Sequence, residues 1–189
     1  MSPLTTRLEA ILAETPGLMA VMRAARDLDL PDWLIFSGAI YQPVWNHLTG
    51  QPLGQGLKDY DLGYFDASDL SYDAEDVFIQ RAATVFDGWT AAPVEVRNQA
   101  RVHLWFEGRF GEAYAPLTST AEALTRFVSP AFCVGARLLP GDRFDIVAPF
   151  GLDDLFSLRL RPNPHRPTTN FARIADGVRR RWPELTVGA

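Results

Sequence analysis

The sequence predicts a single domain of the α/β (α+β) class, on three observations. An apolar run, 33-WLIF-36, breaks at 37-SGA-39 and gives way to helical spacing. A second run, 57-LKDYDLGYFD-66, alternates Asp59 and Asp61 with Tyr60, Leu62 and Tyr64. A third, 93-PVEVRNQARVHLWF-106, keeps a period of two for thirteen residues. The chain of 189 residues falls in the usual size range of one domain, and no repeat, linker or low-complexity tract divides it, so the expectation is one domain over residues 1–189.

Taken in order, residues 4–13 and 18–28 carry apolar side chains at three- and four-residue spacing, with Pro16 and Gly17 between them, which predicts two helices. Residues 33–36 follow as a short buried strand, 37–39 as a glycine turn, and 40–48 as a helix ending at Gly50. The Gly- and Pro-rich segment 49-TGQPLGQGLK-58 reads as a loop ahead of a strand over 59–66, and residues 72–86 return to helical spacing. The long alternation predicts a strand over 93–106, with Glu95, Arg97, Arg101 and His103 on its polar face. Ser119 and Glu122 have capping-box spacing and open a helix to about Phe127. Strands over 131–139 and 143–149, joined by Pro140 and Gly141, and a last helix over 170–182 complete the pattern.

Composition excludes several classes. Hydrophobic residues make up 47% and charged residues 22%, the balance of a globular protein. A net charge of −5 argues against a long nucleic-acid partner, which is held through an excess of Lys and Arg. One Cys and three His supply neither an internal disulfide nor a zinc cluster, so a reducing compartment is expected. Glu9 and Glu14 interrupt the first apolar patch, which fits neither a signal peptide nor a membrane span, and the expectation is a cytoplasmic protein with no membrane partner.

The chemistry centres on Asp59 and Asp61. On one strand face their Cβ atoms lie about 7 Å apart, and two ionised, partly buried carboxylates that close repel each other. A half-buried strand with a wet polar face accounts for the alternation without any ligand. The other reading places divalent cations there, because Mg²⁺ takes carboxylate oxygens and completes its shell with water and substrate phosphates. That second reading calls for a third acid, and Glu95, flanked by Val94 and Val96, is the best placed. Arg97 and Arg101 share the expected polar face with Glu95 and could meet phosphate oxygens or pair with carboxylates of a neighbouring strand. Lys58 could neutralise phosphate or extend to water. Trp45, Trp105 and Trp182 read as core, and Asn46, on the helix after the glycine turn, as a candidate to face the site.

The order of these elements resembles the DNA polymerase β superfamily of nucleotidyltransferases, and within it a small bacterial group of unassigned substrate. The resemblance rests on 38-GAIYQPVWNHLTG-50, 58-KDYDLGYFD-66, 94-VEVRNQARVHLWF-106, 134-VGARL-138, 148-APFGLDDLF-156, 160-LRPNP-164 and 181-RWPEL-185. It implies a mixed central β-sheet flanked by helices, and an enzyme that transfers NMP from an NTP to an acceptor and releases pyrophosphate. It further implies two Mg²⁺ or Mn²⁺ ions on Asp59, Asp61 and Glu95, and a phosphate-binding turn at Ser37 and Gly38. The chain departs from the superfamily's usual Gly-Ser or Gly-Gly at that turn, and has Tyr41 and Gln42 where the small group commonly has Arg and Asn. The acidic net charge favours a small-molecule or protein acceptor. A catalytically silent nucleotide-binding or regulatory module of the same fold is the alternative. The sequence leaves the base, the acceptor and the oligomeric state open.

Overall fold

The computed structural model describes residues 2–166 and 168–188. The chain enters through α1 (Pro3–Glu14) and α2 (Leu18–Asp27), followed by β1 (Leu34–Phe36), α3 (Gly38–Leu48) and β2 (Tyr60–Tyr64). It continues with α4 (Tyr72–Phe86), β3 (Val94–Asn98), α5 (Val102–Phe110), α6 (Thr120–Leu124), β4 (Gly135–Leu139) and β5 (Arg143–Val147). Last come α7 (Asp153–Phe156), β6 (Arg159–Leu160), α8 (Phe171–Arg179) and β7 (Thr186–Val187). The main sheet has the order β3-β2-β1-β4-β5; β2 and β3 run parallel and the other pairs antiparallel, so the sheet is mixed. β6 and β7 form a separate parallel pair that periodicity did not predict. Among the described residues no helix is long and apolar enough to cross a membrane.

The two faces of the main sheet differ. One carries Ile35, Tyr60, Leu62, Val96, Ala136 and Leu138, all within the principal core; α2, α3 and α4 pack against it, and α1 packs on α2 and α3. The opposite face is thinly covered, with a small cluster of Leu34, Phe36 and Leu124 at its centre. Register puts Asp61 beside Phe36 and Glu95 on this second face, where α5 and α6 form an incomplete roof.

The strand expected over 93–106 ends at Asn98. There the Asn98 side-chain oxygen accepts from the N–H of Ala100 at 3.0 Å and of Asp66 at 3.1 Å, and its amide donates to the Asp66 carbonyl at 2.8 Å. A short 3₁₀ turn over Gln99–Arg101 follows, then α5. Val102 and Phe106 are buried at helical spacing, whereas Leu104, which a strand would have buried beside them, is 55% exposed. The alternation beyond Asn98 is therefore a coincidence of a short helix.

The strand expected from residue 131 begins only at Gly135, after a 3₁₀ turn opened by Pro130. Ser119 caps α6 by accepting from the Glu122 N–H at 3.0 Å, but the Glu122 carboxylate reaches back to the N–H and hydroxyl of Thr118, one residue earlier than a capping box requires.

Candidate active site

The site is built where three strands meet at one level. Asp61 of β2 stands opposite Phe36 of β1 on one side and Glu95 of β3 on the other. Asp59 lies two residues before Asp61, immediately ahead of β2, where the Tyr60 N–H bonds the Pro93 carbonyl at 2.8 Å. The three acids thus come from two adjacent strands and feel one another. Burial pushes the Asp61 carboxyl up to about 7, with Asp59 and Glu95 adding repulsion and Arg97 offsetting part of it. Burial also raises Asp59, helped by Glu95 and opposed by Lys58. Glu95 is exposed and lies 3.7 Å from the Arg97 guanidinium.

Among the described residues no hydrogen bond offsets the rise of either aspartate, so these two crowded carboxylates have no such donor there. Among the described residues no three His, Cys, Asp or Glu side chains are closed around a common point for a metal ion. The donor chemistry nonetheless fits a hard divalent cation, because carboxylate oxygens deprived of protein donors are what such an ion takes up.

The turn between β1 and α3 is strained. Ser37 has φ 59° and ψ −128°, a conformation that favours glycine. Its N–H donates to the Val134 carbonyl at 3.3 Å, and its carbonyl accepts from Ile40 at 2.9 Å and Tyr41 at 3.0 Å. The superfamily's usual glycine at this turn has a physical reason, and Ser37 occupies the position under strain. Ser37→Gly is expected to raise stability by about 1 kcal/mol, the relief of strain less the entropic cost of glycine, read by urea denaturation. A loss of stability would show that the serine side chain holds the turn.

Gly38 and Ala39 occupy the first turn of α3, where N–H groups lack a preceding carbonyl. A Cβ on Gly38 would meet Gln42 Nε2 at 2.7 Å, so the Gln42 amide covers this helix end. Gln42 Oε1 in turn accepts from Arg181 at 2.7 Å, and Arg181 stacks over Trp182 at 4.1 Å. Gln42 and Arg181 therefore adjoin the turn; sequence spacing could not place Arg181 there because it arrives from the far end of the chain.

Arg101 does not share the face of Glu95. It is buried in an ion pair with Glu75, also donates to the Leu70 carbonyl at 2.9 Å, and lies over Tyr72. The cause is the turn at Asn98, which carries Arg101 off the strand. Arg97 stays on the site face and also donates to the Val96 carbonyl at 2.9 Å. Lys58 is exposed beside Asp59. Asn46 is turned away from the site: its amide donates to the carbonyls of Leu53 at 3.0 Å and Gln55 at 3.1 Å, and its oxygen accepts from Trp182 Nε1 at 3.0 Å. Trp45 and Trp182 are core, whereas Trp105 lines a cavity beside the acids.

Gly63, two residues after Asp61, lets the Phe36 ring lie on the sheet. A Cβ there would sit 2.7 Å from Phe36 Cζ and 3.1 Å from Gln99 Nε2. Gly63→Ala is expected to cost about 1–3 kcal/mol by forcing the ring off its seat, measured by thermal denaturation. An unchanged midpoint would mean the ring has room to move.

Residues 23–187 match a family model described as Nucleotidyltransferase. No curated protein matches the sequence. A solved structure, described as an NMR structure revealing a CCA-adding enzyme head domain, superposes with a TM-score of 0.77, covering 97% of this chain and 95% of that one at 23% sequence identity. The shared fold is that of the polymerase β-like nucleotidyltransferases, a single α/β domain with a mixed central sheet flanked by helices.

Proposed function

The chain belongs to the nucleotidyltransferase family, and from that premise we propose that it transfers a nucleoside monophosphate from an NTP to an acceptor hydroxyl or phosphate. An acceptor oxygen forms a bond to the α-phosphorus, the bond from that phosphorus to the bridging oxygen of the pyrophosphate breaks, and pyrophosphate leaves. A hydroxyl acceptor also gives up its proton, first to a site carboxylate and then to solvent. The observation that carries this reading is the register that sets Glu95 beside Asp61 while burial and repulsion hold the Asp61 carboxyl up to about 7. A site of this kind is costly to the fold unless something positive is to occupy it.

Asp59, Asp61 and Glu95 would hold Mg²⁺ or Mn²⁺, two ions in the full site; when bound, such ions neutralise phosphate charge and lower the barrier to phosphoryl transfer. Glu95, exposed and nearest Arg97, is suited to accept the acceptor's proton. The N–H groups at Gly38 and Ala39, with the Gln42 amide beside them, would hold the departing pyrophosphate. Lys58 and Arg97 flank the acids from opposite sides and would balance the charge of the nucleotide. The net charge of −5 favours a compact acceptor over a long nucleic acid.

Calorimetry of each NTP with and without Mg²⁺, paired with a pyrophosphate-release assay over an acceptor panel, tests this. Wild type is expected to bind NTP only with the cation. Glu95→Gln is expected to lose about 100-fold or more in turnover while binding changes by a few-fold. Absence of Mg²⁺-dependent NTP binding in wild type would end the proposal. Binding with no pyrophosphate release from any pairing would favour a silent module, a reading that the strained Ser37 at the phosphate-binding turn also supports.

A further inference from the structure

The acids separate two unlike spaces. β1 is antiparallel to β2 with Phe36 opposite Asp61, so moving from Asp61 toward Asp59 leads to the Ser37–Gly38 turn. Moving the other way leads to Gly63, Arg97 and Gln99, and there lies a cavity of ≈ 160 Å³ that includes Asp61 and Glu95 but not Asp59, Ser37 or Gly38. Its walls are aromatic: Phe36 and Phe127 form a tilted pair at 5.6 Å, Phe106 and Tyr114 another at 4.5 Å, and Trp105 stands beside them. Ala123 of α6, whose side chain is a single methyl group, also lines it.

Arg126 and Arg166 also line this cavity, and they continue into an adjoining cleft that the three acids do not reach. Arg166 donates to the Arg126 carbonyl at 2.8 Å and pairs with Glu112 at 3.0 Å, which fixes it over the Phe106 ring. Arg126 pairs with Glu122 at 3.2 Å through a terminal nitrogen, while its Nε is buried without a hydrogen-bond partner among the described residues. A buried N–H left unpaired beside a cavity is a place for a ligand's acceptor atom.

We infer that this cavity is the acceptor site, and that it takes a small molecule made of one planar aromatic ring with a carboxylate or phosphate at the Arg126 end and a nucleophilic oxygen at the acid end. The inference rests on the transferase reading above. In phosphoryl transfer the attacking and leaving oxygens lie roughly in line across the phosphorus. With pyrophosphate at the Ser37–Gly38 turn, the nucleophile comes from the opposite side of the acids, where the cavity opens. Its volume is close to that of an engineered cavity of roughly 150 Å³ that admits benzene, enough for a ring. The five aromatic side chains offer edges and faces to such a ring, and the unpartnered Nε of Arg126 in the cavity lining is the donor for the ligand's anionic end.

Ligand-observed NMR with 4-hydroxybenzoate and with phenyl phosphate, and inorganic phosphate as the ringless control, tests this on the whole chain. Both aromatic probes are expected to bind, and the tighter one identifies the anion. Ala123→Leu, which fills the cavity, is expected to weaken binding at least 10-fold, and Arg126→Met about 5-fold, while Mg²⁺-dependent NTP binding persists in both. Trp105→Ala replaces Ala123→Leu if the latter does not fold. Probe binding is expected to survive saturation with a non-hydrolysable NTP analogue and Mg²⁺. Displacement by the analogue would make the cavity a nucleobase pocket and overturn the inference. So would failure of both probes on folded wild type that still binds NTP, which leaves the transferase reading standing. Probe binding by a protein that never binds NTP would overturn both, through the transferase reading.

Discussion

Asp61→Asn is expected to make the cation-free protein more stable at pH 8 and to abolish its response to Mg²⁺. The folded state holds the Asp61 proton up to about 7, against an ordinary value of 3.8. Between those values the folded protein binds the proton more tightly than the unfolded chain does. The associated stability is fully present below about pH 4 and is lost as pH rises through about 7. A difference of about three pH units corresponds to roughly 4 kcal/mol once the carboxylate is fully ionised, and partial access of water reduces this. A neutral amide escapes the loss, so the variant is expected to gain about 2 kcal/mol at pH 8 and little at pH 4. Urea denaturation in a chelator at the two pH values measures it. Adding Mg²⁺ should raise the wild-type midpoint by mass action and leave the variant unmoved. A variant equally destabilised at both pH values would show that Asp61 is not under repulsion.

Glu75→Ala is expected to be the most damaging single substitution outside the apolar core, at about 3–5 kcal/mol. Glu75 is 4% exposed and pairs with Arg101, itself 9% exposed, while its second oxygen accepts from the Asn98 N–H at 2.8 Å. Truncation strands a buried guanidinium and a backbone donor together. Asn98 is also where β3 yields to α5, so loss of this clamp should loosen Glu95 and Arg97 on one side and the cavity wall on the other. Replacing both partners by apolar residues, Glu75→Leu with Arg101→Met, should cost less than the sum of the two single changes. A loss below about 1 kcal/mol in Glu75→Ala would mean that the pair is open to water.

Much of this architecture is legible in the chain. The helices α1 to α4 and the strands β1 and β2 follow from periodicity and from Gly and Pro punctuation, and Asp59, Asp61 and Glu95 can be picked out from their alternation. What periodicity cannot supply is register: that Glu95 lies level with Asp61 is set by a parallel pairing across the intervening residues 65–93, which include α4. The end of β3 was hidden because Asn98 fits an alternating pattern, yet its side chain caps the following turn. Glu75 was readable in principle. It stands with Ile79, Ala82 and Phe86 on one stripe of α4, the buried one, rather than with the solvated acids of the first turn. Arg126 and Arg166 come from loops far along the chain from the strands whose cavity they line, Arg181 from far beyond the turn that it adjoins, and no local pattern announces them.

Asn46 joins three separate parts of the molecule: the helix after the glycine turn, the loop leading to Asp59, and Trp182. Arg181 doubles the link by donating to the carbonyls of Gln55 and Gly56. The C-terminal stretch thus serves as a tether for the segment that delivers the first acid. Cutting the chain before Arg181 would remove that tether together with the core residue Trp182, although every strand of the main sheet lies ahead of the cut.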